Sequence, residues 1–143
     1  MDEQPAPDLE RFVRAQDAGG AYATALRELR EGRKRSHWVW FVFPQVAGLG
    51  RSATAQHFAL SGLAQARAYL AHPVLGPRLR ECAQALAGLG AASPVDVLGG
   101  VDAQKVHSSM TLFALADPDE PVFRAVLDGW YGGALDPGTT SRV

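Results

Sequence analysis

Cysteine is nearly absent: Cys82 stands alone among 143 residues. That excludes an intramolecular disulfide framework and suits a reducing compartment. Long apolar runs are missing too. The densest one, Trp38 to Phe43, is six residues long and is closed by Pro44, whereas a bilayer-spanning helix needs about 20. Charge of one sign is not in excess. The net charge of −1 excludes a generic polycation that coats nucleic acid or membrane. The stretch Met1 to Asp8 has no basic start leading into an apolar run, so no signal peptide is expected. Together these features read as a cytoplasmic protein with no membrane partner.

Several chemical signatures are also missing. His37, His57, His72 and His107 have no partner histidines at ligand spacing, and Cys82 has no second thiol. No zinc site or other metal is expected. There is no dinucleotide fingerprint, and no lysine follows Gly48-Leu49-Gly50 where a phosphate-cradling loop would need one. Ser108 and Ser109 beside His107 lack a nucleophile elbow. No cofactor is implied.

What remains is an ordinary globular composition, 47% hydrophobic and 20% charged, with enough chain for one domain spanning 1–143. The charges are segregated. Residues 1–31 carry a net −3, residues 32–95 a net +6 and residues 96–143 a net −4. The basic middle either neutralises the acidic ends or lines an anion-binding cleft.

Helical spacing dominates. Asp8 is placed to cap a helix carrying Leu9, Phe12, Val13 and Gln16. After Gly19-Gly20, Tyr22, Leu26 and Leu29 repeat at helical intervals up to Gly32, where a left-handed stop fits. Ser36 is placed to cap 37–43, and Ser52 to cap 53–60. The composition of 37–43 suits a strand as well as a helix, but no second strong strand exists to pair with it, so a helix is expected. Ser61 opens a helix through Tyr69 and Leu70, His72-Pro73 breaks it, and Leu79, Cys82, Ala83 and Leu86 continue in another. Ser93-Pro94 and Gly99-Gly100 bracket a turn. Asp102 and Asp119 are placed to cap two further helices, and residues 132–143 read as a loose tail. The expected fold is all-α, an irregular single-domain bundle of six or seven short helices.

The most informative block is Arg33-Lys34-Arg35-Ser36-His37-Trp38, continuing through Trp40 and Phe43 to Gln45, then Gly48-Leu49-Gly50-Arg51-Ser52. Side chains this large belong in the core. The cationic entrance and the glycine exit are then expected to border one hollow. Arg33, Lys34, Arg35, Ser36 and Arg51, with the amides from Gly48 through Gly50 to Ser52, would bind an anion. Trp38 or Trp40 would stack a base or sugar, and Gln45 would read a polar edge. A second polar cluster places Asp102, Lys105 and Ser109 at three- and four-residue steps. Asp102 and Lys105, with His37, are the candidates for acid–base work, and Ser109 for ligand contact.

Taken together, Asp8 to Gln16, Gly32 to Gln45, Gly48 to Gly50, His72-Pro73-Val74-Leu75-Gly76 and Lys105 with Ser108 to Phe113 resemble a bacterial domain family of unknown function. Its members are sometimes mislabelled calpastatin, a name that does not suit a chain built to bury a core. The resemblance implies an all-α cytosolic domain and brings no catalytic residue. A more remote similarity links it to the superfamily of NAD- and ADP-ribose-linked N-glycosidases. The expected function is binding of a small anionic ligand (a nucleotide, ADP-ribose or a sugar phosphate), with hydrolysis as a further step. The alternative is a non-enzymatic protein-interaction module. Nucleic acid is not an expected partner.

Overall fold

The computed structural model describes residues 8–90 and 93–143. The expectation about a leader at the N-terminus therefore lies almost wholly outside the described residues. The elements run α1 (Glu10–Asp17), a 3₁₀ turn (Ala18–Gly20), α2 (Ala21–Glu31), α3 (Val39–Val42), α4 (Ala53–His57) and α5 (Leu63–Ala71). They continue with α6 (Leu75–Ala87), α7 (Pro94–Leu98), α8 (Gly100–Ala116), α9 (Pro121–Tyr131) and α10 (Pro137–Thr140). The all-α expectation holds, with more and shorter helices than six or seven. Among the described residues the only β-type pairing is a single parallel bridge, Val46 to Leu60.

α8 is the axis. It packs against α5, α7, α9 and α10, and α3 touches it; α6 packs on α2, α5 and α9. Seven consecutive residues of α8, Ser108 to Ala114, are buried, so this helix is enclosed on every side rather than on one stripe. The aromatic block runs through the core as expected: Trp38, Val39, Val42 and Phe43 are all buried, while Trp40 and Phe41 are half-buried. Gln16 is a buried polar joint. Its amide donates to the Phe41 carbonyl at 2.8 Å and to the Tyr69 hydroxyl at 3.2 Å, and its Oε1 accepts from Arg78 at 3.2 Å. One side chain thus ties α1, α3, α5 and α6 together, with its hydrogen-bonding groups satisfied.

Some expected caps are elsewhere. Gly32 does end α2 in the left-handed region, at φ 76°, and the Ser52 hydroxyl accepts from the Ala55 amide at 3.1 Å. Asp8, Asp102 and Asp119 do not cap: Asp8 pairs with Arg14, Asp102 lies inside the first turn of α8, and Glu120 occupies the N-cap of α9 without a side-chain bond. Ser36 does not cap α3 either, because its hydroxyl is drawn to Glu28 at 2.7 Å. The end of the chain is not a loose tail. Asp136 caps α10, and both Asp136 and Thr139 are buried.

His72 is a cap that spacing rules did not foresee. Its Nδ1 accepts from the amides of Val74 and Leu75 at 3.1 and 3.3 Å, and its Nε2 lies 3.0 Å from Glu10 Oε1. A nitrogen that accepts from amides carries no proton, so Nε2–H donates to Glu10. Replacing His72 with alanine orphans the first amides of α6 and is expected to lower stability by about 1 kcal/mol. Urea denaturation checks this, with an unchanged m-value as the sign that only stability moved.

Candidate functional site

A cavity of about 500 Å³ opens between the glycine loop, the N-terminal half of α8 and the turn into α10. That is within the usual range for small-molecule sites, roughly 300–1,000 Å³. The glycine loop supplies Gln45, Leu49 and Gly50; α8 supplies Val101, Gln104, Lys105 and Ser108; the last turn supplies Asp136 and Gly138.

Each wall is fixed from outside the cavity. The loop is closed at its base by the Val46–Leu60 bridge, where Ala47 N donates to Leu60 O at 2.7 Å and Leu60 N to Gln45 O at 2.9 Å. Arg11 clamps its far side through the carbonyls of His57 and Ala59, at 2.8 and 2.9 Å. At Gly48, with φ 98°, an added Cβ would stand 2.8 Å from the Arg142 guanidinium. A Cβ at Gly50 would stand 2.4 Å from that of Ala55. Gly48 is therefore required by its left-handed backbone, since the Arg142 side chain can move aside, and Gly50 by its close approach to Ala55.

Lys105 forms the cationic pole. Its Nζ lies 3.7 Å from Asp102 Oδ1 and 4.3 Å from the centre of the Trp40 ring. Asp102 Oδ2 meets Lys34 Nζ at 2.6 Å. Lys34 is almost closed to solvent, at 6% side-chain exposure; its ammonium also contacts the Ser36 carbonyl and stands over the Trp38 ring at 5.2 Å. Two ammonium groups therefore share one carboxylate.

Asp136 forms the opposite pole. Its Oδ2 accepts from Ser108 Oγ at 2.9 Å, from Thr139 N at 3.1 Å and from Thr139 Oγ1 at 2.7 Å. Its Oδ1 accepts from Gln104 Nε2 at 3.1 Å. Burial pushes its carboxyl up, but the hydroxyl and amide donors and the nearby His107 outweigh burial and hold it below its ordinary value. It is ionised at neutral pH.

The residues singled out from sequence divide. Gln45, Gly50 and Lys105 line the cavity; Gly48 supports the loop beside it; Lys34 and Asp102 act on it through Lys105; Trp40 is covered by Lys105. Arg33, Arg35, His37 and Arg51 are exposed and do not line it, and Arg35 pairs with Glu31 at 3.7 Å. Ser36 is occupied by Glu28, and Ser52 by its cap. Trp38 is buried with its indole N–H on Glu28 at 2.9 Å, so it presents no face for stacking. Ser109 is fully buried in α8, and its hydroxyl is the buried side-chain polar atom without a partner among the described residues. It does not share a polar face with Asp102 and Lys105.

Spacing rules missed Gln104, Ser108 and Asp136. The available signal was Asp136-Pro137 with Thr139 three residues on, a helix-start pattern inside a stretch that composition marks as tail.

Comparison with known proteins adds a family and no chemistry. No curated protein matches the chain. The structure is similar to the crystal structure of the conserved hypothetical protein Rv1873 from Mycobacterium tuberculosis, at 46% sequence identity, with 94% of each chain covered and a TM-score of 0.90. Residues 6–143 match the family described as "Protein of unknown function (DUF1810)".

Proposed function

The chain belongs to this DUF1810 family, membership carries no reaction, and we propose from the site alone that the protein binds a small anionic ligand in the cavity between the glycine loop and α8. The observation that carries this reading is Lys105, an ammonium on the cavity wall whose one carboxylate partner among the described residues is shared with a second, buried lysine. The local balance at that pole is one positive charge in excess. Excess charge away from bulk water is costly, and an anion relieves it. The N-terminus of α8 contributes in the same sense, since Val101 in its first turn also lines the cavity.

The carboxylates argue for binding ahead of hydrolysis. Asp136 is tied by four donors, and Asp102 lies between two lysines. A general base works best with a pKa near the working pH, whereas the donors on Asp136 hold it below its ordinary value and Asp102 is engaged by two ammonium groups.

Thermal shift and titration calorimetry with AMP, NAD, ADP-ribose and sugar phosphates test the proposal. A true ligand at a hundred times its Kd is expected to stabilise the fold by about 2.7 kcal/mol. Lys105→Met is expected to weaken binding by about tenfold or more, the worth of one charge-assisted contact. If no anionic compound raises the melting temperature, the reading is wrong.

A further inference from the structure

Asp136 raises a question that anion binding leaves open. A site built only for an anion gains nothing from an ionised carboxylate on its wall, because like charges repel. Yet Asp136 lines the same cavity as Lys105. The cavity is therefore dipolar. At one pole Lys34, Asp102 and Lys105 leave one positive charge in excess; at the other Asp136 carries one negative charge, with His107 nearby.

The negative pole has a defined hydrogen-bonding pattern. Oδ2 of Asp136 is saturated by three donors, whereas Oδ1 accepts, among the described residues, only from Gln104 Nε2. A carboxylate oxygen has room for a second donor. The bond to Asp136 also orients the Gln104 carboxamide: its N–H₂ is turned to the carboxylate, and no group among the described residues donates to its Oε1. Two acceptors are thus held side by side on one wall, and the ligand must bring two adjacent donors. Hydroxyls on neighbouring carbons do this. The remaining wall is Leu49, Gly50, Val101 and Gly138, with the Gln45 amide and the Ser108 hydroxyl already held by Asp136, a mostly apolar surface that suits the carbon skeleton of a sugar.

We infer that the ligand is a phosphorylated sugar with a vicinal diol, its phosphate at Lys105 and its two hydroxyls at Asp136 Oδ1 and Gln104 Oε1. This deepens the anion-binding reading and rests on it. Gln104 is then a specificity-determining residue, because it supplies the second acceptor and orients itself on the first. A ligand that lacks one hydroxyl of the diol leaves an acceptor unpaired as water is displaced, and hydrogen-bonding sites discriminate strongly against such analogues.

Calorimetry on the full chain separates the two claims. The probes are ribose 5-phosphate, 2-deoxyribose 5-phosphate, inorganic phosphate and the zwitterion serine. Ribose 5-phosphate is expected to bind at least about tenfold more tightly than its 2-deoxy analogue. In Gln104→Leu, an exposed position, that ratio is expected to fall toward one. In Lys105→Met both sugar phosphates weaken together and the ratio persists. Equal binding of the two sugar phosphates by the wild-type chain overturns the diol inference while anion binding stands. Inorganic phosphate binding as tightly as ribose 5-phosphate has the same consequence. Serine binding more tightly than either sugar phosphate overturns it in favour of an ammonium at Asp136. If every phosphate fails to bind, the anion-binding reading itself falls.

Discussion

Replacing Glu28 with alanine is expected to destabilise the protein by roughly 3–5 kcal/mol, close to the limit that a small domain tolerates. The Glu28 side chain is buried at 3% exposure and receives four donors. Arg35 N, Ser36 N and Trp38 Nε1 donate to Oε1 at 2.8, 2.9 and 2.9 Å, and Ser36 Oγ donates to Oε2 at 2.7 Å. Alanine removes every acceptor and orphans two part-buried backbone amides and a buried indole N–H. The isosteric Glu28→Gln keeps an oxygen at the Oε1 position and lets Ser36 Oγ become the acceptor at the other. It is expected to cost less than half as much.

Acid titration gives this prediction a second readout. Burial alone would raise the Glu28 carboxyl, but the donors from Arg35, Ser36 and Trp38 outweigh it and bring the value down to about 2. A carboxyl depressed in the folded state stabilises the fold above its unfolded value, near 4.5. That contribution is lost as pH falls from about 4.5 toward 2. The stability gap between wild type and Glu28→Gln is therefore expected to narrow across that window and to be flat above it. A gap independent of pH would show that the charge of Glu28 contributes nothing. The consequence for the site is direct. Glu28 pins the segment 35–38, and that segment delivers Lys34 to Asp102.

Gly76→Ala is the second large effect. Gly76 is buried in the first turn of α6, where the chain doubles back from α5. A Cβ there would stand 2.1 Å from the Leu70 carbonyl oxygen and 2.9 Å from its carbon. The obstacle is backbone, so no rotamer change relieves it. Arg80 Nη1 reaches the same carbonyl at 3.5 Å and would be displaced with it. The two helices must move apart, and packed interiors resist such shifts. The expected loss is about 3 kcal/mol or more, a fall in Tm on the order of 10 °C for a chain of this size. Denaturant unfolding measures it. A loss under about 1 kcal/mol would mean that the α5–α6 corner opens freely and that Gly76 is not a packing requirement.

Much of the scaffold was legible from residue order. The spacing of Tyr22, Leu26 and Leu29, of Leu79, Cys82, Ala83 and Leu86, and of Val122, Phe123, Val126 and Leu127 marks helices that the structure contains. Ser52 and Gly32 mark two of their ends. The burial of Trp38, Val39, Val42 and Phe43 follows from their size and composition. The site was half legible. Gly48 to Gly50 and Lys105 were visible because glycine pairs and polar clusters stand out locally. Asp136 was hidden because a Gly/Pro-rich end with one acid looks like a tail until Ser108, Thr111 and Thr139 are seen to hold it. Ser36 and Trp38 looked like ligand contacts until the buried carboxylate of Glu28 claimed both.

Residue order by itself determined the helical class, the buried aromatic segment and the glycine loop that follows it. These depend on spacing within a few residues and on side-chain size, both properties of the local chain. Only the tertiary structure decided which of the three consecutive cations turns inward, which acid faces the cavity and which serine is closed off. Those outcomes are set by partners far away in the chain. The competition among donors for Glu28, Asp102 and Asp136 is resolved only when the helices have packed, because burial makes each unpaired group costly and so selects one arrangement.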